Sequence, residues 1–533
     1  MSVFRLLRLI MIAILGALPL AGCGDPVPKF DFTILSGSEN KELEPILQEF
    51  AHSRGVTLKL EYQGSVDIAN ALKAGSDIAA DAVWPANRLW LTLGDTRKVV
   101  RHDASIMRSP VILGLRRSVA QKLGWGGKTD VTVADILKAA QAGSFRYATT
   151  SATQSNSGAS FYFAALHAMA GNPPEALQRE HLDDPAVRRQ IKELLATIDR
   201  SSGSSGWLKT LFLEHSDQLD GMINYESIIW ETNQALIKTG QEPLCAVYPS
   251  DAVAIADHPL GLIGRSDATR EAFFLELQKY LLSPEIQARI QLMGRRTGAI
   301  GMEGNATVLR ADECFDTRRV ISPVPLPDQE VLTAALNLYQ TTLRKPSATV
   351  YVLDFSGSMQ GPRAAELKQA MHTLLDPAAA AANLLQPTAD DLHIVIPFND
   401  RIISVWQERG NDPAMLARLL TRIEAQEAGG STNIYAPVAL GLSKLAALGD
   451  KLDGYFPAVI MLTDGASNQG RGFIEVQEAL ANLHLKRPVP VFAIAFGESD
   501  IKQLNTLAQA TSGKVFDSRK GLIQAFREAK GYN

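Results

Sequence analysis

One stretch decides the fold of the C-terminal part of this chain: Thr349-Val-Tyr-Val-Leu-Asp354-Phe-Ser356-Gly-Ser358-Met359. An apolar, β-branched run ends in a carboxylate and two hydroxyls on a glycine-containing turn, and a helix-compatible stretch follows from about Arg363. Such a set of oxygens at a strand end suits a hard divalent cation, which prefers oxygen ligands. Because hydroxyls are neutral, weak ligands, the cation would remain able to take a carboxylate from a partner. The stretch therefore predicts a strand, a metal-binding turn and a helix.

The sequence on both sides of this turn alternates short apolar runs with amphipathic stretches. We expect strands at 349–354, 391–397, 457–463 and 489–496, and helices at 362–375, 412–425, 434–447, 473–484 and 501–511. This alternation predicts a mainly parallel sheet with helices on both faces. In an open sheet of this kind, ligands bind outside the carboxyl ends of the strands.

Two further segments place oxygen-bearing side chains at that same edge of the sheet. Gly429-Gly-Ser-Thr432-Asn433 is a glycine-rich turn ahead of a helix, and Val459-Ile-Met-Leu-Thr463-Asp464-Gly465 is an apolar strand that ends in a carboxylate. Because the carboxyl ends of neighbouring parallel strands lie together, we expect Thr432 and Asp464 to meet the Asp354 turn.

These residues resemble the metal-ion-dependent adhesion site of the von Willebrand factor A domain, whose pattern is Asp-x-Ser-x-Ser with a distant Thr and a distant Asp. The resemblance covers roughly residues 347–532 and implies a Rossmann-like α/β domain. It also implies a bound Mg²⁺, with Mn²⁺ or Ca²⁺ as alternatives, and a protein partner whose acidic side chain completes the coordination.

The resemblance assigns a role to each of the five residues. It implies that Ser356 and Ser358 bind the cation directly and that Thr432 does so in an open state. Asp354 and Asp464 would act mostly through bound waters and orient the hydroxyls. The alternative is a degenerate domain in which these side chains only cap turns, as Ser and Asp often do.

The N-terminus indicates the cellular compartment. A basic segment with Arg5 and Arg8 is followed by the apolar run 9–18 and then by Leu20-Ala-Gly-Cys23. This predicts a secretory signal that is too short for a spanning helix. The tetrapeptide resembles the lipobox of bacterial lipoproteins, which implies cleavage before Cys23, a lipid on its sulfur, and a cell-envelope location facing the periplasm or the cell surface. An ordinary signal peptide with a chance cysteine is the alternative.

Length and composition limit the remaining possibilities. At 533 residues the chain is too long for one core. A hydrophobic fraction of 46%, a charged fraction of 21% and a formal charge of −4 are typical of a globular protein and give no reason to expect nucleic-acid binding. We expect a signal peptide at 1–22, a tether at 23–30, a first domain at 31–328, a linker helix at 329–346 and a second domain at 347–533.

Three Ser-rich turns in the first domain precede helix candidates. They are centred on Ser38, Ser65 and Ser157, and the choice between Ser36 and Ser38 as the inward-pointing residue stays open. Hydroxyls and free N–H groups at helix N-termini form a neutral cup for an anion. Each turn taken alone also suits an ordinary N-cap.

With Asp81-Ala-Val-Trp84, Asn224-Tyr225-Glu226 and Tyr248-Pro-Ser-Asp251, these turns resemble bacterial periplasmic solute-binding proteins, most closely the molybdate-type and related extracellular group. The resemblance covers about residues 30–320 and implies a type II fold of two α/β lobes with a cleft at the hinge. It implies a small solute, such as an oxyanion. An organic solute and a cleft that has lost its ligand are alternatives. The expected cleft residues are Ser38, Ser65, Ser157 and Tyr225.

Two further cysteines, Cys245 and Cys314, lie in the first domain. In an oxidising envelope they form either one disulfide or two buried thiols, because the sequence does not give their separation.

The sequence predicts a binding protein and not an enzyme. Its nine His residues are scattered, and it contains neither a Gly-x-Ser-x-Gly elbow nor a Walker-type loop. The leading hypothesis is a lipid-anchored envelope protein that binds a protein partner through the cation and a solute in the cleft. One alternative is a solute receptor for an ABC-type transporter with an accessory A domain. The other is a structural adhesin with a non-binding cleft.

Overall fold

The computed structural model describes residues 29–265, 267–298, 302–319, 324–483, 485, 488–497, 499–518 and 521–531. The expected signal peptide, Cys23 and nearly all of the tether lie outside the described residues. Among the residues that are described, no helix combines the length and the apolar character needed to cross a bilayer.

The N-terminal domain (described residues 29–319) is built on two sheets, each of which forms the centre of one lobe. Its strands are β1 (Phe30–Gly37), β2 (Val56–Gln63), β3 (Ala82–Trp84), β4 (Val100–Ser105), β5 (Ser109–Arg116), β6 (Tyr147–Thr150), β7 (Arg200–Ser202), β8 (Gly221–Tyr225), β9 (Leu244–Val247), β10 (Ile255–Ala256) and β11 (Pro259–Ile263). Lobe 1 has the order β2-β1-β3-β11-β4, and lobe 2 has β10-β5-β8-β6-β7 with β9 also paired to β5. The chain therefore crosses between the lobes twice, after β4 and after β10.

Helices cover both sheets of the N-terminal domain. They are α1 (Glu44–Arg54), α2 (Ser65–Leu72), α3 (Arg88–Gly94), α4 (Arg117–Lys122), α5 (Val133–Gln141), α6 (Asn156–Met169), α7 (Arg179–Asp183), α8 (Pro185–Ala196), α9 (Ser205–Glu214), α10 (Glu226–Lys238), α11 (Ala268–Leu281) and α12 (Pro284–Leu292), with 3-10 turns at Ser38–Leu43, Gly75–Asp77 and Ala311–Glu313. A disulfide joins Cys245 in β9 to Cys314, with the two Cα atoms 5.0 Å apart.

The C-terminal domain (described residues 347–531) follows the alternating pattern. Its strands are β12 (Ser347–Asp354), β13 (Leu392–Phe398), β14 (Trp406–Arg409), β15 (Phe456–Thr463), β16 (Val491–Ala495) and β17 (Val515–Asp517). Its helices, with the linker helix α13 (Gln329–Leu338) before them, are α14 (Pro362–Leu375), α15 (Pro377–Ala382), α16 (Pro413–Glu424), α17 (Tyr435–Ala446), α18 (Ile474–Asn482), α19 (Ile501–Ala510) and α20 (Leu522–Gly531), with 3-10 turns at Gly357–Met359 and Gly449–Gly454. The expected two-lobed α/β domain followed by a second α/β domain is confirmed.

The sheet of the C-terminal domain has the order β14-β13-β12-β15-β16-β17 and is parallel except at β14. All eight residues of β12 and all eight of β15 are buried, and one apolar cluster lies on each face of the sheet. This explains why both strands read as continuous apolar runs. The antiparallel edge strand β14 was not predicted, because its four residues are only half-buried or exposed and lack an apolar face.

The linker helix packs against lobe 2. It continues into a π-helical turn at Tyr339–Leu343. The Tyr162 hydroxyl of lobe 2 donates a hydrogen bond of 2.8 Å to the Ala335 carbonyl, and the ring centroids of Tyr162 and Tyr339 are 5.2 Å apart. The linker therefore belongs to the surface that joins the two domains.

A buried ion pair fixes the entry to β12. The side chains of Arg344 and Asp391 are 10% and 0% exposed, and Arg344 Nη2 lies 2.5 Å from Asp391 Oδ2. The same carboxylate accepts hydrogen bonds from the Ser347 and Thr388 N–H groups at 2.7 and 3.1 Å. Burial alone would raise the pKa of Asp391, but Arg344 holds it below its usual range.

Replacing Asp391 with Asn should lower the free energy of unfolding by about 3–5 kcal/mol, because it leaves the Arg344 guanidinium buried without a counter-charge. Chemical denaturation of the full chain measures this. Asp390, exposed and adjacent, provides the matched control, and Asp390→Asn should change stability by less than about 0.5 kcal/mol. Equal effects of the two variants would contradict the assignment. Because the pKa is depressed in the folded state, this stabilisation is complete above pH about 4 and is lost as the pH falls below that value.

Candidate functional site

The first part of the candidate metal site lies at the carboxyl end of β12. The Asp354 side chain is fully buried, and its Oδ1 accepts a hydrogen bond of 2.8 Å from the Ser356 N–H. The following 3-10 turn turns the chain so that Ser356 Oγ and Ser358 Oγ lie 3.2 Å apart. Ser356 is buried, whereas Ser358 is exposed. The turn therefore holds one buried and one exposed serine side by side.

The end of β15 supplies the second carboxylate. β12 and β15 pair in parallel up to Leu353 and Leu462, so their final residues lie side by side. The Thr463 hydroxyl donates to Asp354 Oδ2 at 2.6 Å, and the Ser358 hydroxyl donates to Asp464 Oδ1 at 2.7 Å. The strand pairing thus joins both aspartates in one hydrogen-bonded cluster.

The glycine-rich turn completes the group. The Gly429 N–H donates to the Phe355 carbonyl at 2.8 Å, and the Gly357 N–H donates to the Gly430 carbonyl at 2.9 Å. These bonds hold the Thr432 turn against the Asp354 turn. A methyl group built on Gly465 would lie 3.5 Å from Ser358 Oγ and 3.7 Å from Thr432 Oγ1, so both hydroxyls border the same small space.

Burial and the guanidinium group of Arg363 determine the electrostatics of the site. Burial raises the pKa of Asp354, and the neighbouring Asp464 raises it further, against hydrogen bonds from Thr463 and Ser356 that lower it. Arg363 Nη1 lies 2.5 Å from Asp464 Oδ2, with the guanidinium about one-third exposed. Sequence reasoning missed Arg363 as a member of the site. Its signal was its position on the first turn of the helix that follows Ser358.

The donor set fits a hard divalent cation. Its side-chain oxygens come from two carboxylates and three hydroxyls, which are ligand types that Mg²⁺, Mn²⁺ and Ca²⁺ accept. Within the described residues, no group of three or more His, Cys, Asp or Glu side chains is placed to hold a metal ion. A cation at this site would therefore depend on hydroxyl ligands.

A second candidate site is the cleft of the N-terminal domain, which contains a cavity of about 470 Å³. Ser38 and Tyr62 of lobe 1 and Gln154, Trp207 and Lys209 of lobe 2 are among its lining residues. The sequence analysis predicted Ser38 as a cleft residue but not Gln154, Trp207 or Lys209. Gln154 precedes α6 in the predicted Ser-rich turn that contains Ser157, and Trp207 and Lys209 lie on α9, whose Ser204 cap follows a Ser/Gly stretch that was the available signal. The cavity volume is in the range of small-molecule sites.

The four expected cleft residues have different positions. Ser38 lines the cavity, and its Oγ accepts a hydrogen bond of 3.1 Å from the Gly206 N–H, whereas Ser36 is fully buried. Ser65, Ser157 and Tyr225, all within the described chain, are not part of its lining.

The hydroxyls of these three residues bond to other protein groups. Ser65 Oγ accepts from the Ala86 N–H at 3.0 Å. Ser157 Oγ lies 2.8 Å from both Thr150 Oγ1 and Ser205 Oγ, and the Tyr225 hydroxyl accepts from Asn156 Nδ2 at 3.0 Å. These bonds connect protein segments to one another, so in this conformation the three hydroxyls are used within the protein and do not line the cavity.

The two lobes are in direct contact beside the cavity. The Val66 N–H at the start of α2 donates to the Gln154 carbonyl of lobe 2 at 3.4 Å. A Cβ at Gly64 would lie only 2.2 Å from that same carbonyl oxygen, which is a backbone atom with little freedom to move. Glycine at position 64 therefore permits the close approach of the lobes.

Comparison with known protein families assigns both parts of the chain. Residues 33–296 match the family of bacterial extracellular solute-binding proteins, and residues 350–527 match the von Willebrand factor type A domain. No curated protein matches the chain.

Solved structures that resemble the chain include periplasmic binding proteins. The sulfate-binding protein SubI of Mycobacterium tuberculosis H37Rv is 16% identical, with a TM-score of 0.38, over 56% of this chain and 93% of its own. The periplasmic molybdate-binding protein of Azotobacter vinelandii is 12% identical, with a TM-score of 0.34, over 50% and 99%. From its two family matches, the chain combines a solute-binding domain of the bacterial extracellular type with a C-terminal von Willebrand factor type A domain.

Proposed function

We propose that this protein is a lipid-anchored binding protein of the bacterial cell envelope that holds a protein partner through a divalent cation in its C-terminal domain. The observation that carries this proposal is the convergence of Asp354, Ser356, Ser358, Thr432 and Asp464 at one edge of the sheet. The match of the N-terminal domain to extracellular solute-binding proteins supports a location outside the cytoplasm. The Cys23 lipobox supports the anchor.

The hydroxyls of Ser356, Ser358 and Thr432 would hold the cation, and the two aspartates would orient these hydroxyls and balance part of its charge. A bound cation supplies an electrophilic position that a carboxylate of the partner can fill. Because Ser358 is exposed, a partner can reach this position from solvent. We propose binding and not catalysis, since in the described chain the Ser358 hydroxyl bonds to a carboxylate and to no histidine.

We propose further that the N-terminal cleft binds a small solute. The family match and the cavity of about 470 Å³ between the lobes support this proposal. A cavity of this size accepts a molecule of metabolite dimensions. Such a protein would join solute binding and partner binding in one chain.

Magnesium should stabilise the full chain after treatment with EDTA and dialysis. At a concentration one hundred times its Kd, Mg²⁺ should add about 2.7 kcal/mol to the free energy of unfolding, because it binds only the native state. Differential scanning fluorimetry measures the shift in Tm. Asp354→Asn should abolish the shift, and Asp390→Asn should retain it. A wild-type chain that responds to none of Mg²⁺, Mn²⁺ and Ca²⁺ would rule out the metal site.

Replacing Arg363 with Gln should strengthen Mg²⁺ binding. The Arg363 guanidinium pairs with Asp464 and would repel a bound Mg²⁺. An electrostatic interaction of a partly exposed side chain is worth up to about 1 kcal/mol. This corresponds to roughly a fivefold change in the Kd for Mg²⁺. Titration of Mg²⁺ followed by fluorimetry gives the midpoint for each variant. Arg418→Gln, at an exposed arginine on α16, should leave the midpoint unchanged. An unchanged or weaker midpoint for Arg363→Gln would contradict the repulsion.

The protein partner should depend on the same cation. The full chain, immobilised and exposed to an envelope extract that contains Mg²⁺, should retain a partner that EDTA releases and that Asp354→Asn fails to capture. Mass spectrometry identifies the retained protein. Equal recovery with EDTA, or with Asp354→Asn, would count against contact through the metal.

A further inference from the structure

The C-terminal domain reaches into the cleft of the N-terminal domain. Arg527 of α20 is nearly fully buried, and its Nη2 lies 2.8 Å from Oδ1 of Asp67 in lobe 1, where the side chains are 5% and 7% exposed. The Gln154 side-chain amide of lobe 2 donates a hydrogen bond to the Arg527 carbonyl. One residue of α20 therefore contacts both lobes.

A second contact comes from the segment that leads into β17. The Lys514 ammonium lies 3.9 Å from the centre of the Trp207 ring in lobe 2, which is a cation–π distance. Lys514 and Glu528 both line the cavity of about 470 Å³, beside residues of both lobes. The cavity is therefore bounded by three bodies: lobe 1, lobe 2 and the C-terminal domain.

Polar groups beside this cavity have unused hydrogen-bonding capacity. Despite their short distance, Asp67 Oδ1 and Arg527 Nη2 are not aligned as a hydrogen bond. Within the described chain neither atom has a hydrogen-bond partner, and the same holds for Arg527 Nε. Buried polar atoms normally have such partners. These atoms are fully buried, so the Asp67–Arg527 contact holds α20 against lobe 1 through charge.

The charges around the cavity are balanced. Its lining includes the lysines Lys41, Lys209 and Lys514 and the acids Glu42, Asp67, Glu231 and Glu528, and Arg527 beside Asp67 makes the signs equal. Lys209 is paired with Glu231 at 2.6 Å and with Glu42 at 3.2 Å. A bare oxyanion would meet as much negative as positive charge. The aromatic rings of Tyr62 and Trp207 instead suit the carbon skeleton of an organic solute.

We propose that the solute site is shared by the two lobes and the C-terminal domain, that its solute is a small polar organic molecule without net charge, and that this solute holds the C-terminal domain against both lobes. This proposal rests on the proposed solute-binding function. It adds residues of the C-terminal domain to the site, names the chemical class of the solute, and links solute binding to docking of the C-terminal domain. Because a solute that contacts Lys514 or Glu528 binds the docked arrangement better than the undocked one, its binding shifts the population towards docking.

The first test is solute binding by the full chain. Wild-type protein is screened by fluorimetry against the neutral amino acids and the pentitols and hexitols, with sulfate, phosphate and molybdate as oxyanion comparisons. We expect at least one neutral compound to raise Tm and the oxyanions to have no effect. For that compound, Lys514→Met and Arg527→Gln should each raise Kd at least tenfold, whereas Lys444→Met, at an exposed lysine on α17, should keep it within twofold.

Several outcomes overturn the inference. If the variants bind the compound as tightly as wild type, the C-terminal domain is not part of the site, but solute binding by the N-terminal domain stands. If only an oxyanion binds, the proposed ligand class is wrong and solute binding again stands. If nothing in the panel binds, both the shared site and the proposed cleft function fall, while the metal-dependent function is unaffected.

The second test measures docking without a ligand. In small-angle X-ray scattering, Asp67→Arg and Arg527→Asp should each increase the radius of gyration of the full chain, because like charges then face each other across the interface. The double variant Asp67→Arg/Arg527→Asp should return it to the wild-type value, which also shows that the single variants are folded chains with a broken contact. A radius that is unchanged in both single variants would refute the docked arrangement.

Discussion

The parallel pairing of β12 with β15 is the constraint on which the candidate metal site depends. Both strands are buried along their whole length, so a shift in register by one residue would exchange the side chains that pack in the two apolar clusters and disrupt both. The register in turn places Asp354 beside Thr463 and Asp464. Core packing therefore positions the two carboxylates of the candidate site, and the turns add Ser356, Ser358 and Thr432.

The convergence of the candidate metal-site residues was largely predictable from sequence, and the lining of the cleft was not. Asp354 and Asp464 follow apolar strands directly, and strand ends meet by topology alone, so a local pattern locates them. Whether Ser65 or Ser157 faces a cavity depends on how the two lobes pack, which no local pattern reports. Both hydroxyls are used within the protein. Arg363 was missed for a related reason, since its contact with Asp464 spans 101 residues.

The presence of two α/β domains was predictable, but the contact between them was not. In the sequence, the prolines at positions 323, 325 and 327 separate the two parts of the chain, and the alternation of strands and helices gives the fold class of each. It does not say whether a linker is free or packed. Here the linker lies on lobe 2 through Tyr162, and α20 reaches Asp67 and Gln154. These contacts depend on single side chains far apart in sequence, so neither composition nor local pattern predicts them.

The disulfide between Cys245 and Cys314 has a mechanical consequence. If the chain is pulled between its N-terminus and the C-terminal domain, tension passes from β9 across the sulfur bridge towards the linker helix. Cys245 and Cys314 are 69 positions apart in sequence, and the chain between them lies off the covalent path of the force. Because the disulfide bridges this segment, the force cannot extend it, and roughly 240 Å of chain length, at about 3.5 Å per residue, is not released. That loop holds β10 and β11, so the second crossing between the lobes is shielded from force. A chain under tension would thereby keep one of its two connections between the lobes unloaded, while the first connection, after β4, would carry the force.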